Sequence, residues 1–206
     1  MQLTLHSQIE LYIKKLPQGS VISISDFATI AKPKTISKNL ERLCNDKKIE
    51  KVIRGIFWKP DNIHSSPSED DVANAIARLN RWEIVPSGST ALHKLGFTKS
   101  KPEKWTYVTN GTYRSYSYDG KTISFQHTTG KWISSLSKTT ALLVQGIKAY
   151  GNDHIPEDIK KLIANKYQTS EINNILIETK DITSWIAKSI NLIFSNKSKN
   201  IIAGDE

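Results

Sequence analysis

The first 60 residues contain segments in which apolar residues recur at helical spacing. In the first segment the apolar positions share one helix face: Leu5, Ile9, Tyr12, Ile13 and Leu16. The run 17–19, Pro-Gln-Gly, ends this predicted helix. A short β-prone stretch follows, and Ser25 is positioned to cap a second helix over residues 26–31, which Lys32-Pro33 then ends. The pattern predicts two helices joined by a turn.

A third helix is predicted to begin after Lys34 or Thr35. Its apolar positions, Ile36, Leu40 and Leu43, face inward. The opposite face carries side chains that hydrogen-bond phosphates and base edges, namely Thr35, Lys38, Arg42 and Asn45, with Asn39 beside them. We interpret this segment as a recognition helix. A polar outer face on an amphipathic helix is also often only solvated. The residues that follow the helix therefore help to decide between a DNA-binding face and a solvated one.

Residues 48–60 predict two short strands around a turn at Arg54-Gly55, with Lys51 and Arg54 near its tip. Such a hairpin directly after a helix-turn-helix is the wing of a winged helix, which touches DNA backbone while the helix enters a groove. Phe57 and Trp58 are better explained as core residues than as stacking platforms for bases. Cys44 is likewise expected to be a small core residue rather than a redox switch.

Residues 61–70 are polar and rich in serine and proline, which predicts a linker. A helix over 71–80 and a strand over 82–85 follow it. The run 87–96, SGSTALHKLG, predicts a helix opened by Ser89 or Thr90, and capping is favoured over phosphate binding because the spacing of a phosphate loop is absent.

Three strands are predicted over 105–109, 113–118 and 122–128, joined by Asn-Gly and Asp-Gly turns. Their aromatic and basic residues allow cross-strand pairing or a nucleic-acid surface, and pairing is favoured: Tyr113, Arg114, Tyr116 and Tyr118. Helices over 137–150, 156–167, 171–180 and 181–194 complete the pattern.

The predicted fold class is α+β. An N-terminal winged helix-turn-helix, residues 1–60, precedes the 61–70 linker and an α+β domain, residues 71–195, with a small antiparallel sheet and C-terminal helices. Residues 196–206 are expected to form a flexible tail.

The net charge of +9 is unevenly distributed. Residues 1–60 carry 11 Lys or Arg against 5 Asp or Glu, residues 61–150 carry 11 against 7, and residues 151–206 carry 7 against 8. The excess is therefore concentrated in the segment predicted to be a winged helix, which favours a polyanionic partner there. A basic surface that only aids solubility would give similar totals.

The sequence argues against several other functions. A single cysteine, Cys44, excludes an intramolecular disulfide framework, and no spacing typical of a zinc site occurs. We expect a cytoplasmic protein without a cofactor or metal, because no apolar run is long enough to span a bilayer and no signal-peptide pattern is found. Enzymatic roles for His93 or His127, with Ser89, Glu103 or Asp119, lack any motif that enforces them.

Several motifs in order resemble one known family. The run LPQGSVISISDFATIAKPKTISKNLERLCNDKKIEKVIRGIFWKP is similar to the winged-helix start of AbiEi-like antitoxins of type IV toxin-antitoxin systems. The later runs DVANAIARLNRWEIVPSGSTALHKLGF, YVTNGTYRSYSYDGKTISFQHTT and SLSKTTALLVQGIKAYG resemble the second domain of a prokaryotic branch of that group. The resemblance covers about residues 16–151 and leaves the C-terminal part unmatched.

This resemblance implies a bacterial antitoxin that represses its own operon and counters a nucleotidyltransferase-like toxin, often without a stable complex. Carried over to this chain, residues 34–42 would be the recognition helix and residues 51–54 the wing. The expected DNA-binding residues are Lys34, Thr35, Ser37, Lys38, Asn39, Arg42, Lys51 and Arg54. The expected partner is double-stranded DNA of its own promoter, bound as a homodimer or as cooperative monomers.

Two other functions remain open at this stage. One is a ligand-responsive regulator without a toxin. The other is an enzyme that carries a basic N-terminal domain, in which substitution of His93 or His127 would abolish activity but leave DNA binding intact.

Overall fold

A computed structural model describes residues 3–129, 135–152 and 155–202 of the chain, with side chains described as far as residue 195. The fold is mixed α and β with small antiparallel sheets, as predicted. The helices are α1 (Leu5–Lys15), α2 (Pro33–Asn45), α3 (Glu69–Asn80), α4 (Gly88–Leu95), α5 (Lys138–Tyr150), α6 (Glu157–Ala164), α7 (Thr169–Glu178) and α8 (Ser184–Ile202). The strands are β1 (Val21–Ser23), β2 (Glu50–Ile53), β3 (Ile56–Trp58), β4 (Ile84–Pro86), β5 (Lys104–Thr109), β6 (Arg114–Tyr118) and β7 (Lys121–His127).

The chain divides into two compact units. The N-terminal unit contains Met1–Glu83 and Ser115–Ile123, and the C-terminal unit contains Ile84–Arg114 and Ser124–Glu206. This division differs from the boundary predicted at residues 61–70, because α3 packs with the N-terminal elements. Arg78 of α3 donates hydrogen bonds to both carboxylate oxygens of Asp26, at 3.0 and 3.3 Å, and to the Val21 carbonyl at 3.1 Å.

The core of the N-terminal unit lies between α1, α2 and a three-stranded sheet. Its fully buried side chains come from elements far apart in sequence: Ile9, Ile22, Phe27, Ile36, Leu40 and Leu43. The sheet has the order β1-β3-β2, and both pairs are antiparallel. Strand β1 therefore pairs with β3, the second strand of the β2–β3 hairpin. This pairing joins the hairpin to the helices that precede it.

The predicted second helix is largely wrong. Only a short 3₁₀ helix, Ile24–Phe27, is present, and Ser23 caps it instead of Ser25. The backbone N–H of Ser23 donates to Asp26 at 2.8 Å, and the Ser23 hydroxyl accepts from the Ser25 N–H, so the turn is closed locally. Pro33, expected to follow the end of a helix, is instead the first residue of α2, where its missing N–H costs nothing.

Lys59 caps the C-terminal end of α1. Its ammonium group donates hydrogen bonds to three backbone carbonyls, those of Ile13 (3.1 Å), Lys14 (3.2 Å) and Leu16 (2.6 Å). Carbonyls at the end of a helix run out of intrahelical partners, although that of Ile13 also accepts from the Leu16 N–H at 3.2 Å. A cation there also opposes the negative end of the helix dipole.

Lys59→Met is therefore expected to lower the free energy of unfolding by about 1–2 kcal/mol. The measurement is urea denaturation of the full chain. Lys48→Met is the matched control, because Lys48 pairs with Glu10 at an exposed position and water screens that pair. Equal losses in the two variants would contradict the capping role.

The C-terminal unit is built around α5. Residues of α5 are buried against side chains of α4, α7 and α8: Leu143, Val144 and Ile147 pack with Leu95, Ile175 and Ile190. The four-stranded sheet has the order β4-β5-β7-β6, so the three predicted strands are present, but the chain does not form the expected run of consecutive hairpins. The tight turn predicted at Asn110-Gly111 is wrong, because β5 pairs with β7 instead of β6, and the Thr109 carbonyl at its end accepts from the Thr128 N–H at 2.9 Å. Tyr107 of β5 and Phe125 of β7 stack with their ring centroids 5.8 Å apart.

The ends of several helices differ from the prediction. Helix α6 ends at Ala164, earlier than the expected residue 167, and α8 continues to Ile202, beyond the expected end at residue 194. The predicted flexible tail, residues 196–206, therefore begins within a helix, and residues 203–206 lie outside the described part of the chain.

Candidate nucleic-acid interface

Helix α2 presents one buried and one exposed face, as its sequence pattern predicts. Ile36, Leu40 and Leu43 are fully buried. The exposed positions carry most of the polar residues singled out from the sequence: Lys34, Thr35, Lys38, Arg42 and Asn45. Ser37 is half-buried, and its hydroxyl donates to Glu41 at 3.3 Å.

Asn39 does not belong to this exposed face, although the sequence placed it among the DNA-binding residues. Its side chain is only 7% exposed. The amide nitrogen donates to the Thr35 carbonyl at 2.9 Å, and the amide oxygen accepts from His6 Nδ1 at 3.1 Å. Asn39 therefore joins α1 to α2 and is not part of the candidate interface.

The β2–β3 hairpin turns at Arg54-Gly55, as predicted. Gly55 has φ of +82°, which glycine adopts without strain, and its carbonyl accepts from the Ile24 N–H at 3.0 Å. Arg54 and Lys51 are exposed, whereas Phe57 and Trp58 are buried. Trp58 also donates its indole N–H to the Gly19 carbonyl at 3.2 Å. The predicted core role of the two aromatic residues is confirmed.

A groove of about 580 Å³ lies between α2 and this hairpin, and we call it the basic groove. Lys34 and Lys38 line it from α2, and Lys51 and Arg54 line it from the hairpin. Pro33, Ser37, Glu41, Ile24, Gly55 and Phe57 complete the lining. Within the described part of the chain, no carboxylate lies within 4.0 Å of any of the four cationic groups. Four cations therefore converge here without ion-pair partners, and Glu41 is the one carboxylate among the described residues of the lining, so the groove carries a net positive charge that suits a polyanion.

The structure thus separates the predicted site residues into groups. Lys34, Ser37, Lys38, Lys51 and Arg54 share the basic groove. Thr35 and Arg42 are exposed on α2 but do not line the groove. Helical spacing alone grouped Lys38 with Arg42, and it missed Glu41, because the position of the hairpin beside the helix decides which face becomes a groove wall.

Cys44 of α2 is half-buried and packs against the core of the N-terminal unit, in agreement with the expected structural role. Burial raises the pKa of its thiol, with nearby Lys51 acting in the opposite direction. A thiol with a raised pKa forms little of the reactive thiolate.

The run 87–96 is tied to the sheet through backbone and hydroxyl groups. Ser87, rather than Ser89 or Thr90, precedes the first turn of α4, and it makes no side-chain capping bond. Its backbone N–H donates to the Thr106 carbonyl at 2.9 Å, and Thr90 Oγ1 accepts from the Thr106 N–H at 2.7 Å. Thr90 joins α4 to β5 and is not a helix cap.

The two histidines considered for catalysis have separate surroundings. His93 lies on α4 and meets Trp105 edge to face, with ring centroids 6.0 Å apart. His127 ends β7 and hydrogen-bonds the Gly111 carbonyl at 2.7 Å. Neither contact pairs a histidine with a nucleophile or a carboxylate.

Tyr118 of β6 has a buried structural role. It is 7% exposed, and its hydroxyl donates to the Pro67 carbonyl at 3.3 Å. Burial raises the pKa of this phenol well above its ordinary value. Tyr113, by contrast, is 72% exposed.

Two kinds of feature are absent from the described residues. No three His, Cys, Asp or Glu side chains among them are placed to hold a metal ion. No described helix has the length and apolar character needed to cross a membrane.

Comparison with curated proteins gives no match. One family model matches residues 8–175, which extend from within α1 to within α7 and include parts of both compact units. Because this match covers most of the chain, the protein belongs to DUF6088, a family of unknown function.

Proposed function

We propose that the protein binds double-stranded DNA through α2 and the β2–β3 hairpin. The observation that carries this proposal is the basic groove, in which Lys34 and Lys38 face Lys51 and Arg54. None of these four cations forms an ion pair within the described part of the chain. DNA carries one negative charge per ~1.7 Å of helix axis, so four cations in one groove can neutralise several phosphates of one strand. A basic surface that only aids solubility gives no reason for cations from two elements to converge on one groove.

The arrangement of residues 5–58 supports interpreting this region as a winged helix. Its elements follow the order α1, β1, a 3₁₀ turn, α2, β2 and β3, and β1 pairs with β3. In this interpretation α2 is the recognition helix and the β2–β3 hairpin is the wing. The 3₁₀ turn replaces the usual second helix, and the Asp26–Arg78 ion pair holds it against α3.

Contacts within such an interface divide into two kinds. Exposed Arg42 lies outside the groove on α2, where a guanidinium can pair with guanine in the major groove. Lys51 on the hairpin is placed to neutralise a phosphate, a contact that carries no sequence information.

Arg42→Ala is expected to reduce discrimination between the DNA upstream of the gene and a scrambled duplex by about 1–3 kcal/mol. Lys51→Ala is expected to weaken binding to both duplexes alike and to lower the salt slope by about one unit. Fluorescence anisotropy at several salt concentrations measures both quantities. Equal effects of the two substitutions would contradict this division.

We further propose that the protein represses its own operon and acts as an antitoxin to a nucleotidyltransferase-like toxin. This part of the proposal is supported by the resemblance to AbiEi-like antitoxins, whose motifs extend into the C-terminal unit. A reporter driven by the upstream DNA tests repression. Co-expression with a neighbouring nucleotidyltransferase-like gene tests antitoxicity, and the expected result is rescue of growth by the wild-type chain. If the chain represses the reporter but does not rescue growth, the antitoxin role fails and the role of a regulator without a toxin remains.

A further inference from the structure

The basic groove contains an acidic residue that simple attraction to DNA does not explain. Glu41 is the only carboxylate among the described residues that line the groove. It is exposed, it accepts a hydrogen bond from the Ser37 hydroxyl at 3.3 Å, and it has no ion-pair partner within the described part of the chain. Its negative charge is therefore available to whatever enters the groove.

A carboxylate in this position has opposite effects on the two parts of a DNA surface. It repels phosphate oxygens, so it weakens binding that depends on the backbone alone. In the major groove, however, a carboxylate can accept a hydrogen bond from the N4 amino group of cytosine. Glu41 lies one helical turn after Lys38 and directly before Arg42, on the helix assigned to base contacts.

We propose that Glu41 is a specificity-determining residue, which accepts a hydrogen bond from the amino group of a cytosine and disfavours other bases at that position. This assignment rests on the proposed DNA-binding function. The four cations supply attraction to any duplex, and Glu41 makes part of that attraction conditional on sequence. The Ser37 hydroxyl restrains the carboxylate, which lowers the entropy lost when it meets the base.

Selection of duplexes from a random library tests this assignment. The wild-type chain, Glu41→Gln and Glu41→Ala are each used at about 0.1 M salt, where phosphate contacts do not overwhelm base contacts. Glu50→Gln is the matched control, because Glu50 is an exposed glutamate on β2 that does not line the basic groove. Both glutamine variants change the net charge by the same amount.

The expected result is a change at one base pair. The wild-type chain and Glu50→Gln should select cytosine there, whereas Glu41→Gln should select adenine, because a carboxamide pairs with adenine N6 and N7. Glu41→Ala should lose the preference by roughly 5- to 150-fold and should bind scrambled DNA more tightly than the wild-type chain does. Thermal unfolding of Glu41→Ala should match that of the wild-type chain.

Two results would overturn the assignment in distinguishable ways. If the wild-type chain enriches a sequence and Glu41→Gln enriches the same one, Glu41 does not read a base although the DNA-binding function stands. If the wild-type chain enriches no sequence, the proposed recognition of DNA fails, and the assignment to Glu41 fails with it.

Discussion

Replacing Lys34, Lys38, Lys51 and Arg54 together by alanine is expected to weaken DNA binding about a thousandfold at 0.1 M salt. The four side chains converge on one groove, and each can neutralise a phosphate. Loss of four such contacts should lower the dependence of log K on log salt by about 3.6 units, since each contributes about 0.9. Titration of a labelled duplex at several salt concentrations measures both effects.

The matched control for this variant removes four positive charges outside the groove. Lys14, Lys15, Lys99 and Lys101 are exposed and do not line the basic groove. Their replacement should change the salt slope by less than one unit. If both variants lose affinity equally, net charge alone governs binding and the groove has no special role. Far-UV circular dichroism establishes that both variants are folded.

Gly146→Val is expected to destabilise the C-terminal unit by about 3 kcal/mol. Gly146 lies inside α5, where a Cβ atom would be 2.1 Å from Leu95 Cδ1 and 3.7 Å from Phe97. Leu95 is itself 1% exposed, so its side chain has little room to move. The glycine is required by the close approach of α4 to α5 rather than by an unusual backbone angle.

A second substitution separates this steric effect from helix propensity. Leu95→Ala alone should cost about 2–5 kcal/mol through the cavity it leaves. Combined with Gly146→Val it should cost less than the sum, because the valine fills part of that cavity. Lys148→Val, at an exposed position of the same helix, should change stability by less than 1 kcal/mol. Additive losses in the Leu95 and Gly146 variants, measured by urea denaturation, would contradict direct contact.

Features set by local pattern could be predicted from the sequence. The apolar spacing of Ile36, Leu40 and Leu43 identified the buried face of α2, and Arg54-Gly55 identified the hairpin turn. The second helix was predicted wrongly because a helix-like stretch was closed instead by the Ser23–Asp26 capping box. Local hydrogen bonds between side chains and the backbone determine such turns. The spacing of apolar residues does not reveal these bonds.

Features set by distant contacts could not be predicted in this way. Asn39 looked like part of an exposed face because its partner His6 lies on another helix. Glu41 belongs to the candidate site only because the hairpin lies beside α2. Gly146 gave no local signal either, because its constraint comes from Leu95 on another helix. Each outcome depends on tertiary packing between elements.

The basic groove is expected to recognise specific DNA, and a salt-dependent titration of the full chain tests this recognition most directly. The two duplexes are the DNA immediately upstream of the gene and a scrambled sequence of the same composition. We predict at least tenfold tighter binding to the upstream duplex, with affinity for both duplexes falling steeply as salt rises. Equal affinity for the two duplexes, or affinity that does not respond to salt, would contradict the account.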